Sequence, residues 1–224
     1  IAFWYPLRVV LQLIGIPEQD EAQILRLTQQ LFAPESFATD DKDTMTVFLE
    51  TVTEMGGYFS ALAADRRQNP GDDIASILSN AKLDGELIDD FTLTSYFVLL
   101  ATAGHDTTSA SLAGGLQALL THPEQHQKLL AEPALMPQAA DEMIRWVTPV
   151  KHFARTVLAD TEIRGVPIKK GDTVAMFFES GNRDAEAIER PLEFDVTRKA
   201  SKHIAFGYGR HNCLGMHLAR MEVE

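Results

Sequence analysis

Between about Glu86 and Leu120 the chain reads as one long helix whose centre, Phe97 to Leu100, is apolar on every side. A helix of that kind is expected to be buried, with other elements around it. The run stops at His122-Pro123, because proline does not continue a helix. A polar stretch, AGHDTTS from Ala103 to Ser109, interrupts it. Asp106 and Thr107 are costly in a helix interior unless hydrogen-bonded. Leu99, Ala103 and Thr107 are spaced by four and share a face. Ala103 and Gly104 leave room for another group to lie against the backbone. The plain reading of the threonines is a hydroxyl bonded back to the carbonyl one turn earlier.

What precedes this run is helical too. A helix through Tyr5 to Leu13 is stopped by Gly15 and Pro17, and a second from about Glu18 to Phe32 spaces Ile24, Leu27 and Leu31 helically. After a polar connection from Pro34 to Asp43, a third spans about Thr44 to Arg67, and Asn69-Pro70-Gly71 breaks it. Asp72 or Asp73 caps a short helix to Leu78. Beyond Pro123 come helices to Ala131 and from about Ala134 to Trp146. Then the texture changes. Phe153 to Ile163, Val166 to Ile168 and Thr173 to Phe178 read as short strands with turns at Gly165 and Gly171. Asn182 to Ala205 is mostly irregular, and a last helix is expected to begin near Cys213.

The formal net charge of −12 argues against nucleic acid as a partner. The apolar run from Ile1 to Ile16 contains Arg8 and Gln12. It is shorter than the ~20 residues of a spanning helix, so no membrane segment is expected. The sequence lacks an initiator Met and stops inside a helical pattern, so both ends read as truncated. Only one cysteine is present, which rules out an intramolecular disulfide and a zinc site of several thiolates. A buried thiol, a reactive nucleophile or a single-thiolate metal ligand remain.

That cysteine lies in FGYGRHNCLG, Phe206 to Gly215. Gly207 and Gly209 permit left-handed or tightly packed backbone. Cys213, at the expected start of a helix, would have its thiolate favoured by free N–H groups and the helix dipole. Taken alone, a cysteine after a turn is most often a buried thiol. Here Phe206, Gly207, Gly209, His211, Cys213 and Gly215 together resemble the haem-binding signature of the cytochrome P450 family.

Three further stretches carry the same resemblance in the same order. AGHDTTS is similar to the acid–alcohol segment of the family's central helix; EMIR, Glu142 to Arg145, to its Glu–Arg helix; NRDAEAIERPLEFDVTR, ending at Arg198, to its meander. In the meander Ala185 stands where a proline is usual. The resemblance covers essentially the whole chain and is nearest to soluble bacterial members. YPLRVVLQLIGIPEQDEAQILRLTQQLF, SNAKLDGELIDD and ATAGHDTTSAS look like the terpineol-oxidising branch.

The resemblance implies a mainly α fold with a long central helix and small β-sheets, truncated at both ends, residues 1–224 forming one partial domain. It implies haem b (iron protoporphyrin IX), with Cys213 the iron ligand and Phe206 packed beside the thiolate. His211 and Arg155 would donate to the propionates, and Gly207, Gly215 and Ala103 would approach the ring. Asp106 would deliver protons and Thr107 would hold a water. Leu99, Thr102, Ala103 and Val150 would line the substrate pocket. Lys151 departs there from the usual apolar filling. Glu142, Arg145 and Arg198 would form a buried structural cluster. His105 is expected to be structural or superficial. The implied activity is insertion of one atom of O2 into a small hydrophobic substrate, terpenoid-like by the branch resemblance. Electrons would come from NAD(P)H through a reductase and an iron–sulfur ferredoxin, in the cytoplasm. Two alternatives stand beside it: a peroxide-driven peroxygenase, disfavoured by the acid–alcohol pair, and a non-catalytic haem-binding sensor or fragment.

Overall fold

The computed structural model describes residues 2–199 and 202–224. Contacts gather the chain into two units, Ile1–Ser109 and Ala110–Glu224. In the first, α1 (Trp4–Ile14), α2 (Glu21–Phe32), α3 (Thr44–Gln68), α4 (Ile74–Ser79) and α5 (Asp90–Ala103) pack on a common core. Leu7, Leu11, Ile24, Met55, Phe59 and Phe97 are its bulky, almost fully buried members. Aspartates start three of these helices. Asp43 accepts from Thr46 N–H at 2.7 Å, Asp73 from Ser76 N–H at 2.7 Å and Asp89 from Thr92 N–H at 2.9 Å.

Gly15 ends α1 in the left-handed region at φ 93°, where a β-carbon would be strained. The space such a carbon would fill is taken by the Asp73 carboxylate. Arg66 ties the same corner, donating to the Asp73 carboxylate at 2.8 Å and to the Gly15 carbonyl at 2.8 Å. One guanidinium thus fixes the ends of α1 and α3 to the start of α4.

The long helix expected from about Glu86 differs from what forms. A hairpin of β1 (Lys82–Leu83) and β2 (Glu86–Leu87) takes its first residues, and α5 begins only after the Asp89 cap. The helix then breaks at Gly104-His105 and resumes as α6 (Asp106–Thr121). Phe97 is buried, whereas Leu99 is 58% exposed. The apolar centre is therefore buried along one side, not all round.

In the second unit, α7 (Pro123–Ala131), α8 (Met136–Val147) and α10 (Met216–Val223) surround a core that includes Leu119, Leu129, Met143, Ile144 and Phe194. A β-carbon on Gly115 would come 2.7 Å from Met143 Sδ, so glycine there sets how closely α6 and α8 approach. The expected strand from Phe153 to Ile163 is two strands. β3 (His152–Thr156) pairs antiparallel with β6 (Thr173–Phe177), and β4 (Thr161–Ile163) with β5 (Val166–Ile168). A single helical turn, α9 (Phe178–Gly181), follows β6. No helix among the described residues is long and apolar enough to cross a membrane.

Candidate functional site

In the first unit the polar break brings His105, Asp106 and Thr107 together between α5 and α6. Gly104 N–H reaches the Leu100 carbonyl at 3.3 Å and Ser109 N–H the His105 carbonyl at 2.8 Å, which bracket the interruption. The space at Gly104 is filled by Val10 of α1, 2.6 Å from where a β-carbon would stand. No external group is needed to explain that glycine. Thr107 Oγ1 donates to the Ala103 carbonyl at 3.2 Å, the back-bonded arrangement that also costs least inside a helix. His105 is fully buried. Its Nδ1 lies 3.1 Å from the Ala101 carbonyl and its Nε2 3.2 Å from Asp106 Oδ1. Asp106 borders an open cavity of about 350 Å³ with Gln29, Phe32, Ala33, Ser36 and Phe37.

Leu99 and Ala103 are exposed on one face of α5. Thr102, expected beside them, corrects that picture. It is 5% exposed, and its hydroxyl donates to the Val98 carbonyl at 2.7 Å, so its side chain is turned into the unit. A position one residue from Ala103 is rotated by about 100° around a helix of 3.6 residues per turn, which takes it off that face.

In the second unit the loop from Phe206 to Gly215 presents Cys213. Gly207 sits at φ 72°, and a β-carbon there would come 3.2 Å from the His211 carbonyl oxygen. This turn lets Cys213 N–H reach the Phe206 carbonyl at 2.8 Å and closes the loop under the thiol. The helix does not begin at Cys213. A 3-10 turn covers Gly209–His211, and α10 starts at Met216 with Gly215 at its N-cap. The thiol is exposed. His211 and Arg155 are exposed as well, and neither forms an ion pair among the described residues. Val150 is half-buried, and Lys151 turns back to donate to the Val147 carbonyl at 2.9 Å.

Behind the loop the structure brings Glu142, Arg145 and Arg198 together. Arg145 holds Glu142 through two bonds, Nε–Oε2 at 2.7 Å and a terminal nitrogen to Oε1 at 2.8 Å, with both side chains fully buried. Arg198 Nε adds a bond to Oε2 at 2.9 Å. The two guanidiniums also donate to the Asn182, Pro191 and Glu193 carbonyls, so they pin the irregular meander.

Two contributors were given no role by the sequence reading. Asn182 is fully buried, donating to Thr148 Oγ1 at 2.9 Å and accepting from Ile204 N–H at 2.7 Å. Asp141 receives Arg220 Nε at 2.9 Å and lies 3.1 Å from His203 Nε2. The Arg220 guanidinium sits 4.8 Å over the Phe206 ring, a cation–π contact at the mouth of the loop. Burial raises the Asp141 carboxyl, but the His203 and Arg220 contacts outweigh burial and hold it below the ordinary carboxylate range. A depressed carboxyl contributes stability that is full above the unfolded value of about 4 and is lost as pH falls through the folded value. Asp141→Asn is therefore expected to flatten the acid loss of stability, read as urea midpoints from about pH 5 to pH 2. An unchanged acid limb would contradict this.

The donor set fits one kind of metal group. No cluster of three or more His, Cys, Asp or Glu among the described residues could hold a bare ion. A metal at the exposed Cys213 must bring most of its own ligands, as a porphyrin does. Arg155 and His211 are exposed donors that could meet acidic groups on such a ring.

Comparison with known proteins agrees with that chemistry. The family model described as Cytochrome P450 matches residues 31–224. Cytochrome P450-terp of a Pseudomonas species is 45% identical over all of this chain and 54% of its own length. Steroid C26-monooxygenase of Rhodococcus jostii is 36% identical over all of this chain and 46% of its own length. Among solved structures, CYP108D1 of Novosphingobium aromaticivorans superposes with TM-score 0.89 at 43% identity, covering all of this chain and 52% of that one. Mycobacterium marinum CYP268A2, in complex with pseudoionone, gives TM-score 0.91 at 38% identity over 99% of this chain and 54% of that one. The chain thus spans about half the length of the relatives it matches.

Proposed function

The chain belongs to the cytochrome P450 family, and from that premise we propose that it carries the core of a haem-thiolate monooxygenase acting on a small hydrophobic, terpenoid-like substrate. The observation that carries this is Cys213, an exposed thiol on a closed glycine loop with no rival ligand cluster among the described residues. When bound, haem b supplies the oxygen-activating chemistry, and a thiolate ligand enriches its iron in electron density. Cys213 would be the iron ligand, with Phe206 beside it and Gly207 and Gly215 allowing close approach. His211 and Arg155 would pair with the propionates. In this reading Leu99, Ala103 and Val150 orient an apolar substrate and exclude water. The Asp106 carboxyl holds and releases a proton. The Thr107 hydroxyl, now donating to the Ala103 carbonyl, turns to hold a water.

Similarity to the Pseudomonas protein supports the terpenoid class. Resemblance to bacterial members supports an electron supply from NAD(P)H through a reductase and an iron–sulfur ferredoxin, and a place in the cytoplasm. The test uses Thr107→Ala. Product formed per NADH consumed is expected to fall several-fold, with substrate-induced changes in haem absorption retained. Unchanged coupling would overturn the role of Thr107 and favour a peroxide-driven route. A panel of terpenoids, alkanes and sterols, scored by the same absorption change, tests the substrate class. A response to sterols alone would contradict it.

A further inference from the structure

Resting on the monooxygenase reading, we propose that Lys151 is a positioning residue: it closes the turn that carries Val150, and so sets which part of an apolar substrate is oxidised. The last four carbonyls of a helix have no partner within it. At the end of α8 each of them has a donor. The Ile144 carbonyl accepts from Thr148 N–H at 2.9 Å and the Arg145 carbonyl from Thr148 Oγ1 at 2.6 Å. The Trp146 carbonyl accepts from a terminal nitrogen of Arg183 at 3.0 Å, and the Val147 carbonyl from Lys151 Nζ at 2.9 Å. The last two donors are cations placed at the negative end of the helix dipole. Glu179 of α9 is the counterion of both, with Oε1 3.4 Å from Arg183 and Oε2 3.4 Å from Lys151.

Lys151 differs from the other donors in where it stands. It follows Thr148-Pro149-Val150, so its side chain reaches back across that turn and ties the end to the beginning. The first foot of the turn is already fixed. Thr148 is fully buried in the left-handed region at φ 45°, uncommon for a β-branched residue, and its hydroxyl accepts from Asn182 at 2.9 Å. Pro149 restricts the next φ. At the second foot the Lys151 carbonyl accepts from Phe178 N–H at 2.9 Å, and Glu179, next in the chain, faces the Lys151 ammonium. Val150 stands between the feet, half-buried. A side chain that orients substrate must be held to within about 0.5 Å, so a tie across its own turn bears on selectivity. Overall stability is a separate matter. The Lys151 and Glu179 side chains are 53% and 47% exposed, and pairs of that kind contribute little to it.

Amide hydrogen exchange reads the tie without turnover. Lys151→Met keeps a long unbranched side chain and loses the charge. It should speed exchange several-fold at the Phe178 amide, which is bonded to the carbonyl of residue 151, and leave the unfolding midpoint unchanged. Lys151→Arg can still donate to the Val147 carbonyl and should restore the slow rate. Unchanged exchange in Lys151→Met would overturn the tie. Selectivity is read separately in the haem-loaded protein, with the terpenoid that gives the largest change in haem absorption as the probe. Lys151→Met should raise its KM several-fold and shift the ratio of its oxidation products, and Lys151→Arg should recover both. The same KM and product ratio in Lys151→Met as in the unaltered protein would overturn the positioning role, even with faster exchange. Absence of any monooxygenase turnover in the unaltered protein would refute the functional reading, and with it the role in selectivity, and leave the exchange result standing.

Discussion

Glu142→Ala is expected to destabilise the protein by about 3–5 kcal/mol, the cost of leaving buried charge without its partner. Glu142 is 2% exposed and receives both Arg145 and Arg198. It also accepts Asp195 N–H at 3.0 Å. Its removal leaves two guanidiniums and a backbone donor facing an emptied space. Because domains are stable by only about 5–15 kcal/mol, such a loss takes much of what holds the second unit folded. An exposed pair provides the contrast. Arg164 and Glu186 meet at 3.2 Å with side chains 83% and 76% exposed, and Arg164→Ala should change stability by less than about 1 kcal/mol. Urea or guanidinium midpoints measure both. A loss below about 1 kcal/mol for Glu142→Ala would mean that the cluster is not the buried tie described.

Cys213→Ala is expected to leave the fold intact and reduce oxygen-inserting activity to that of free haem. The two halves of this expectation come from different atoms. The loop is closed by the Cys213 backbone N–H on Phe206, which alanine retains. The side chain is exposed, so its loss should shift stability by no more than about 0.5 kcal/mol. The sulfur is the only cysteine sulfur in the chain, and no other cluster among the described residues could replace it as ligand. Unfolding midpoints with and without the substitution, alongside product formation, separate the two effects. Retained activity with intact fold would remove Cys213 from the chemistry.

Much of the fold could be read from local sequence, for identifiable reasons. Helices were marked by apolar spacing and by the stops at Gly15, Asn69-Pro70 and His122-Pro123. Residue type marked an aspartate cap at 72 or 73, and the structure selects Asp73. What escaped depends on tertiary neighbours. Nothing local announces that Val10 fills the space over Gly104, or that Thr102 turns inward while Ala103 faces out. The 3-10 turn at Gly209–His211 delays α10 to Met216, and the motif's spacing alone does not set that start. The Glu142–Arg145 pair was visible as neighbours on one helix, and Arg198 through the family resemblance. Asp141, His203 and Arg220 come from separate segments, so their meeting leaves no spacing to detect. His105 shows the same limit. Its motif gave its position, but only the packed ring shows which acceptors surround it.

The central claim is that the Cys213 thiolate ligates haem iron. Its most direct test is the absorption spectrum of the reduced carbon monoxide complex, taken on the natural polypeptide that carries this sequence and loaded with haem. The account predicts a Soret band with the large red shift of thiolate ligation, absent in Cys213→Ala. A Soret band without that shift in the unaltered protein would contradict it.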